Sequence, residues 1–162
     1  MSSEPASSFE TSLDIPGAIC AISRTLDVNE IIKSVGSDSH GANVYFIGTT
    51  RDNFEGKNVT RLEYQAYSKL AIKTMTEIVR TAQASGPQDS DGSPSLKCAV
   101  HHRIGVVPVG EPSIVIAVSA PHRKEAFVAC EYILEEVKRK AQIWKREHYD
   151  GEDEAEWKAN KS

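Results

Sequence analysis

The sequence predicts one α+β domain, a mostly antiparallel sheet packed by two or three helices. Three observations predict it. Five segments rich in β-branched and aromatic residues do not alternate strictly with helical ones, which argues against a parallel doubly wound sheet. Only two long stretches carry apolar residues at helical spacing. The chain has 162 residues, room for one domain with a real hydrophobic core.

The elements follow in order. Residues 1–17 read as a disordered arm, before a domain at 18–150 and an acidic tail at 151–162. Residues 18–25 (AICAISRT) predict a first strand. Asp27 and Glu30 have capping-box spacing, Leu26 is placed as a staple, and Gly36 ends a short helix. Residues 42–50 (ANVYFIGTT) predict a strand leading to Arg51. A turn around Gly56 precedes a strand at 59–66, with Leu62, Tyr64 and Ala66 on one face. Met75, Ile78, Val79 and Ala82 mark a helix over 68–84. Residues 85–95 (SGPQDSDGSPS) are a loop by composition. Strands at 96–104 and 113–120 flank the Gly/Pro-rich turn VVPVGEP. His122 opens a long helix whose Ala126, Cys130, Ile133, Leu134 and Val137 recur at 3.6-residue spacing. Residues 141–149 (AQIWKREHY) are a last strand or an extended arm.

Composition narrows the function classes. Hydrophobic residues make up 40% and charged residues 26%, as in water-soluble globular domains. No apolar run reaches the roughly 18 residues of a membrane helix. The first 17 residues are polar and acidic, without the apolar core of a secretory signal, so the cytosol is the expected location. The net charge of −4 argues against nucleic acid as a partner. Cys20, Cys98 and Cys130 form no C-x-x-C pair and read as core thiols. His101 and His102 would point to opposite faces of a strand, so no metal site is expected. No G-x-G-x-x-G or G-x-x-x-x-G-K-[ST] loop occurs.

Charge is unevenly placed. Between His122 and His148 stand seven Lys/Arg (Arg123, Lys124, Lys138, Arg139, Lys140, Lys145, Arg146) against five Glu, and five acids follow from Asp150 to Glu156. Three features could use that charge. At 119–123 (SAPHR) a strand meets a helix, whose first N–H groups attract anions and whose Arg123 offers a bidentate fork. The same residues equally suit a solvated helix start. Lys138 near the helix end and Lys145 beyond it either decorate a basic surface or meet, if the chain bends after Ala141. Two clustered ammonium groups depress each other's pKa from about 10.4. Arg51 ends a strand after Gly48, which allows close backbone approach or marks a bulge; an ordinary surface ion pair is the plain role for Arg51. Trp144 and Trp157 have the composition of interface anchors, with core packing the expected role of Trp144.

In order, residues 44–51 (VYFIGTTR), 62–67 (LEYQAY), 102–105 (HRIG), Gly110 with Glu111, 119–123 (SAPHR), Lys138 and 143–147 (IWKRE) resemble one family, the large catalytic subunit of molybdopterin synthase, as a eukaryotic member. The resemblance covers roughly residues 40–150. It implies an α+β fold and a homodimer at the centre of a heterotetramer. Each large subunit would accept the C-terminal Gly-Gly tail of a small ubiquitin-like partner carrying sulfur as a thiocarboxylate. The implied substrate is cyclic pyranopterin monophosphate and the product the dithiolene of molybdopterin, with no metal or dissociable cofactor. The resemblance makes Lys138 the main catalytic lysine, with Lys145 assisting. It places Arg51, His122, Arg123, Arg146 and Glu147 with both lysines around the substrate. Gln142 stands where the family usually has Pro, Gln65 where Glu is common, and Pro121 where a small residue is usual; the 85–95 loop is longer than in compact relatives. Two rival readings are a non-catalytic scaffold that binds the small subunit and an unrelated lysine enzyme forming a Schiff base.

Overall fold

The computed structural model describes residues 4–151 and 156–161. Ten strands and three helices are found among them. Strands β1 (Thr11–Ile15), β2 (Ala18–Ser23), β3 (Ala42–Thr49), β6 (Lys97–Arg103) and β8 (Pro112–Ala120) form one sheet in the order β1-β2-β6-β8-β3. Only its β2–β6 pair is parallel. Strands β4 (Asn53–Phe54), β5 (Lys57–Ala66), β9 (Ile143–Tyr149) and β10 (Lys158–Ala159) form a second, antiparallel sheet, ordered β10-β9-β5-β4. Strand β7 (Gly105–Pro108) also pairs with β5.

The core lies on both faces of the first sheet. Ile114, Ile116 and Val118 of β8 face helices α2 (Ser68–Ala84) and α3 (Arg123–Lys140), while Val115 and Ala117 face α1 (Val28–Ser34). A strand covered on both sides is apolar without alternation, as IVIAV at 114–118 is. Helix α2 buries Ala71, Ile72, Met75, Ile78, Val79 and Ala82; α3 buries Ala126, Ala129, Cys130, Ile133 and Val137. Both stripes repeat every three or four residues, as a helix resting on a sheet requires. The three cysteines are free and buried, and burial pushes the thiols of Cys20, Cys98 and Cys130 up to about 11, 12 and 11. They are core thiols.

Local chemistry explains most boundaries. Asp27 caps α1, its carboxylate accepting the Glu30 N–H. Glu55 and Gly56, with φ of 50° and 78°, make the two-residue hairpin turn whose handedness suits twisted strands. Strand β7 lies where the sequence reads as a turn. Gly105, at φ 87°, supplies the corner that carries the chain from the first sheet to the second.

Residues 1–3 of the expected disordered arm lie outside the described residues, but described residues near both chain ends are paired into the fold. Strand β1 falls within the expected disordered arm, pairing with β2 through five residues. The preceding segment docks on α2, whose first residue lacks a side-chain cap. The Ser7 carbonyl accepts the Ser68 N–H, and the Ser68 hydroxyl donates to the Phe9 carbonyl. Helix ends need such partners, and here chain neighbours distant in sequence provide them. In the expected acidic tail, residues 152–155 lie outside the described residues, whereas β10 pairs with β9 and Asn160 is buried. Trp144 departs as well. It is 40% exposed, because the alternation of β9 turns Ile143, Lys145 and Glu147 inward and Trp144 outward.

Ile133 is fully buried between α3 and the sheet. Ile133→Ala is expected to cost about 2–5 kcal/mol, as large-to-small core changes do, measured as a lower urea midpoint at unchanged m-value.

Candidate active site: a cationic cavity where the two sheets meet

Strand β3, α3 and the second sheet converge on a cavity of about 390 Å³. Each wall has a local cause. Gly48 in β3 sits at a register shift, and a Cβ there would lie 2.9 Å from the Ile114 side chain and 3.3 Å from the Phe46 ring. The glycine therefore serves both a bulge and a close approach. Arg51 follows at the rim, and the β4–β5 hairpin contributes Asn53 and Phe54. Lys138 enters from the last turn of α3.

The chain then bends as the clustered-lysine reading requires. Ala141 is extended and closes the helix, its N–H donating to the Val137 carbonyl. Gln142 is held by hydrogen bonds: Thr74 Oγ1 donates to its side-chain oxygen at 2.9 Å, and the Tyr67 N–H to its carbonyl. Strand β9 then pairs with β5, placing Lys145 opposite Tyr64 and Glu147 opposite Leu62. All four of these residues line the cavity.

Lys138, Lys145 and Arg51 thus share one enclosure. Lys145 is 8% exposed. Burial, first, lowers the pKa of both lysines. For Lys138, Glu135 opposes the shift. For Lys145, Lys138 adds to it, Glu147 opposes it, and Lys158 and Arg51 add further. Mutual repulsion, the cause expected from sequence, comes second to desolvation. Glu147 is 3% exposed, and its Oε1 lies 2.8 Å from the Lys158 Nζ. Its Oε2 has no partner among the described residues.

Beneath Tyr64 lies His102, fully buried, the two rings edge to face at 5.1 Å. Its Nδ1–H donates to the Arg103 carbonyl at 2.9 Å, which leaves Nε2 to accept from the Asn160 amide at 3.0 Å. Burial, then the nearby Lys138 charge, pushes His102 down to about 4, and the Arg103 carbonyl opposes them. The imidazole is neutral at physiological pH.

Three expected site residues lie elsewhere in the single chain. Arg146 is on the opposite face of β9 and donates to Glu63 at 2.8 Å, where His148 Nε2 also meets Glu63 at 3.0 Å. Burial pushes the Glu63 carboxyl up, but these two partners outweigh it and hold it below the ordinary value. Arg146 therefore does not line the lysine cavity: strand alternation forbids neighbours 145 and 146 from sharing a face. His122 and Arg123 are exposed at the N-terminus of α3 and open a separate cavity of about 520 Å³. Fifteen residues of helix, roughly 22 Å at 1.5 Å per residue, divide Arg123 from Lys138. Sequence reasoning missed Lys158 and Phe54. The only signal was an aromatic–cation step, Trp157 to Lys158, after the acidic run. Among the described residues, no group of three His, Cys, Asp or Glu is placed to hold a metal, and no helix is long and apolar enough to cross a membrane.

A sequence model of the family described as MoaE protein matches residues 21–140. Molybdopterin synthase catalytic subunit 1 of Aedes aegypti is 47% identical over 137 residues, 84% of each chain. The molybdopterin synthase catalytic subunit of Taeniopygia guttata is 47% identical over 140 residues, 86% of this chain and 84% of the relative. Molybdopterin synthase from Staphylococcus aureus superposes with a TM-score of 0.75 at 27% identity, over 88% of this chain and 96% of that one. A chain in the complex of subunits 1 and 2 of the Helicobacter pylori molybdopterin-converting factor shares the fold, with a TM-score of 0.65 at 22% identity over 79% of this chain and 83% of that one.

The depressed His102 pKa makes a stability prediction. Unfolded, the imidazole takes a proton near its ordinary value of about 6.5, but in the fold only near 4. Its contribution is complete above about pH 6.5 and is lost as pH falls toward 4. Urea unfolding is expected to show on the order of 2 kcal/mol less stability at pH 5 than at pH 7 from this group. His102→Gln, less stable at neutral pH, should lose that part of the slope.

Proposed function

We propose, from the premise that this chain belongs to the MoaE protein family, that the cavity holding Lys138 and Lys145 is where sulfur is transferred to a pterin. The chain is the catalytic part of a molybdopterin synthase, an enzyme of molybdenum cofactor biosynthesis. Its substrate, in this reading, is cyclic pyranopterin monophosphate. The donor is the C-terminal Gly-Gly thiocarboxylate of a small ubiquitin-like subunit. The observation that carries the reading is the enclosure of Lys138 and Lys145, with Arg51 at the rim, in one cavity.

The chemistry explains the charges. A cyclic phosphate and a thiocarboxylate are both anions, and bringing them together costs Coulomb energy that fixed cations offset, most effectively away from water. Desolvated lysines also exchange protons closer to neutral pH than exposed ones. Lys138 then acts at the reacting centre, as proton carrier or as partner of the terminal carbonyl, and Lys145 assists. Arg51 holds phosphate or pterin oxygens. Glu147 lines the same space, while Arg146 supports the strand from behind. A scaffold that only binds a partner has no use for two desolvated ammonium groups, since burying them costs stability.

His122 and Arg123 enter this reading through a second copy of the chain. At roughly 22 Å from Lys138 along α3 they cannot touch a small substrate in the same cavity. Edge strand β3, with Tyr45 and Ile47 exposed, supports a homodimer that would present the α3 N-terminus of one copy to the other. The small subunits would complete a heterotetramer. Three free cysteines agree with the cytosol as the working compartment.

Reconstitution with the cyclic pterin and a thiocarboxylated partner, assaying dithiolene product, tests the reading. Product should form only when the chain is present; a folded chain that binds the partner without turnover would overturn it. Lys138→Ala is expected to lower turnover by about a hundredfold or more while size-exclusion chromatography still shows the partner complex. Lys138→Arg keeps the charge and nearly forbids deprotonation, so recovery there would mean that Lys138 acts as a charge. Mixing inactive Lys138→Ala and Arg123→Ala chains should restore about a quarter of wild-type activity if each site uses both copies. No recovery would place Arg123 outside the site.

A further inference from the structure

The last described residues bring a fourth cation against the wall of the cavity. Lys158 of β10 lies opposite Lys145 of β9. Three contacts beside it hold the segment in place. The Asn160 N–H donates to the Ile143 carbonyl at 3.1 Å, and the Asn160 side-chain amide donates to buried His102. The Trp157 ring stacks on the Arg146 guanidinium at 4.7 Å. With the backbone so anchored, the Lys158 Nζ sits 2.8 Å from Glu147 Oε1 and 4.2 Å from the centre of the Phe54 ring. Glu147 and Phe54 are both walls of the cavity.

We propose that Lys158 is a positioning residue of the sulfur-transfer site: by engaging Glu147 it keeps that carboxylate from being Lys145's undivided counter-ion, so that Lys145 can give up its proton when it assists Lys138. Glu147 and Lys145 are two residues apart on one strand face, hence neighbours. A carboxylate this buried needs a cationic partner, and without Lys158 the nearest strand neighbour is Lys145. Among the described residues, the groups facing Lys145 include Lys138 from α3, Arg51 beyond β3, Glu147 on its own strand, Lys158 from β10 and the Tyr64 phenol from β5. Removing Lys158 subtracts one cation and releases one anion, and both changes favour the charged ammonium. Lys145 should then hold its proton to higher pH.

The proposal rests on the synthase reading for its chemistry, and its test separates the two. Lys158→Met removes the charge but keeps an apolar stem on Phe54; Lys158→Arg keeps the charge. Lys145 ionisation is followed on the chain alone by NMR of its side-chain nitrogen, assigned with Lys145→Arg. The acid limb of kcat against pH is followed in the reconstituted synthase. Lys145 is expected to titrate at higher pH in Lys158→Met and near its original position in Lys158→Arg. The acid limb should move with it, lowering kcat roughly three- to tenfold at a fixed pH on that limb, where one unit is tenfold. A purely structural role would lower kcat evenly at every pH and leave the Lys145 titration unmoved. That outcome overturns the proposal. A Lys145 shift in a chain that never turns over would overturn the synthase reading and leave the role of Lys158 standing.

Discussion

The register of the β5–β9 ladder is the constraint on which the rest of the site depends. Tyr64 opposite Lys145 and Leu62 opposite Glu147 turn those four side chains into the cavity. Glu63 opposite Arg146, on the other face, makes a separate ion pair. Side chains alternate strictly along a strand, so a slip of one residue would send Trp144, Arg146 and His148 inward and Lys145 out. The Glu63 cluster helps to prevent that slip, because a misregistered strand would leave its charges unpaired. Gln142 guards the same register from the start of β9, through Thr74 and Tyr67.

Given the ladder, the electrostatics of the cavity follow from where its cations originate. Lys138 comes from the end of α3, Lys145 from β9 and Arg51 from beyond β3, while Lys158 of β10 reaches the wall at Glu147. No single element carries two of them, so their convergence depends on how the elements pack. Among the described residues that line the cavity, Glu147 supplies the carboxylate. Such an arrangement costs folding free energy, since taking ammonium groups out of water is unfavourable. The apolar core beneath, with both faces of β8 covered, offsets that cost.

The chain ends show how composition misleads when tertiary partners are absent. Residues 4–10 look like a solvated arm, yet their carbonyls accept the first N–H of α2 and the Ser68 hydroxyl. The segment after the acidic run looks like a solvated tail, yet Asn160 gives buried His102 the donor that its Nε2 accepts. Both segments are polar because their task is hydrogen bonding to the rest of the fold. A polar segment is dispensable only if no distant backbone or ring nitrogen needs it.

By itself the sequence determined the helix stripes of α2 and α3, the Asp27 cap, the core thiols, the apolar run of β8 and the family to which the motifs belong. Those are local signals: spacing, capping chemistry and residue type act within a few positions along the chain. The bend after Ala141 was open in the sequence, and the strand that follows it exists only because β5 offers an edge. Which cations share a cavity was decided by tertiary structure alone. Lys138 and Lys145 meet across a helix-to-strand bend, Arg146 is turned away by alternation, and Arg123 is carried off by the length of α3. Lys158 arrives by a strand pairing that no periodicity announces. Non-local pairings are set by long-range register, and one sequence read along its length holds no record of the strand that will lie beside it.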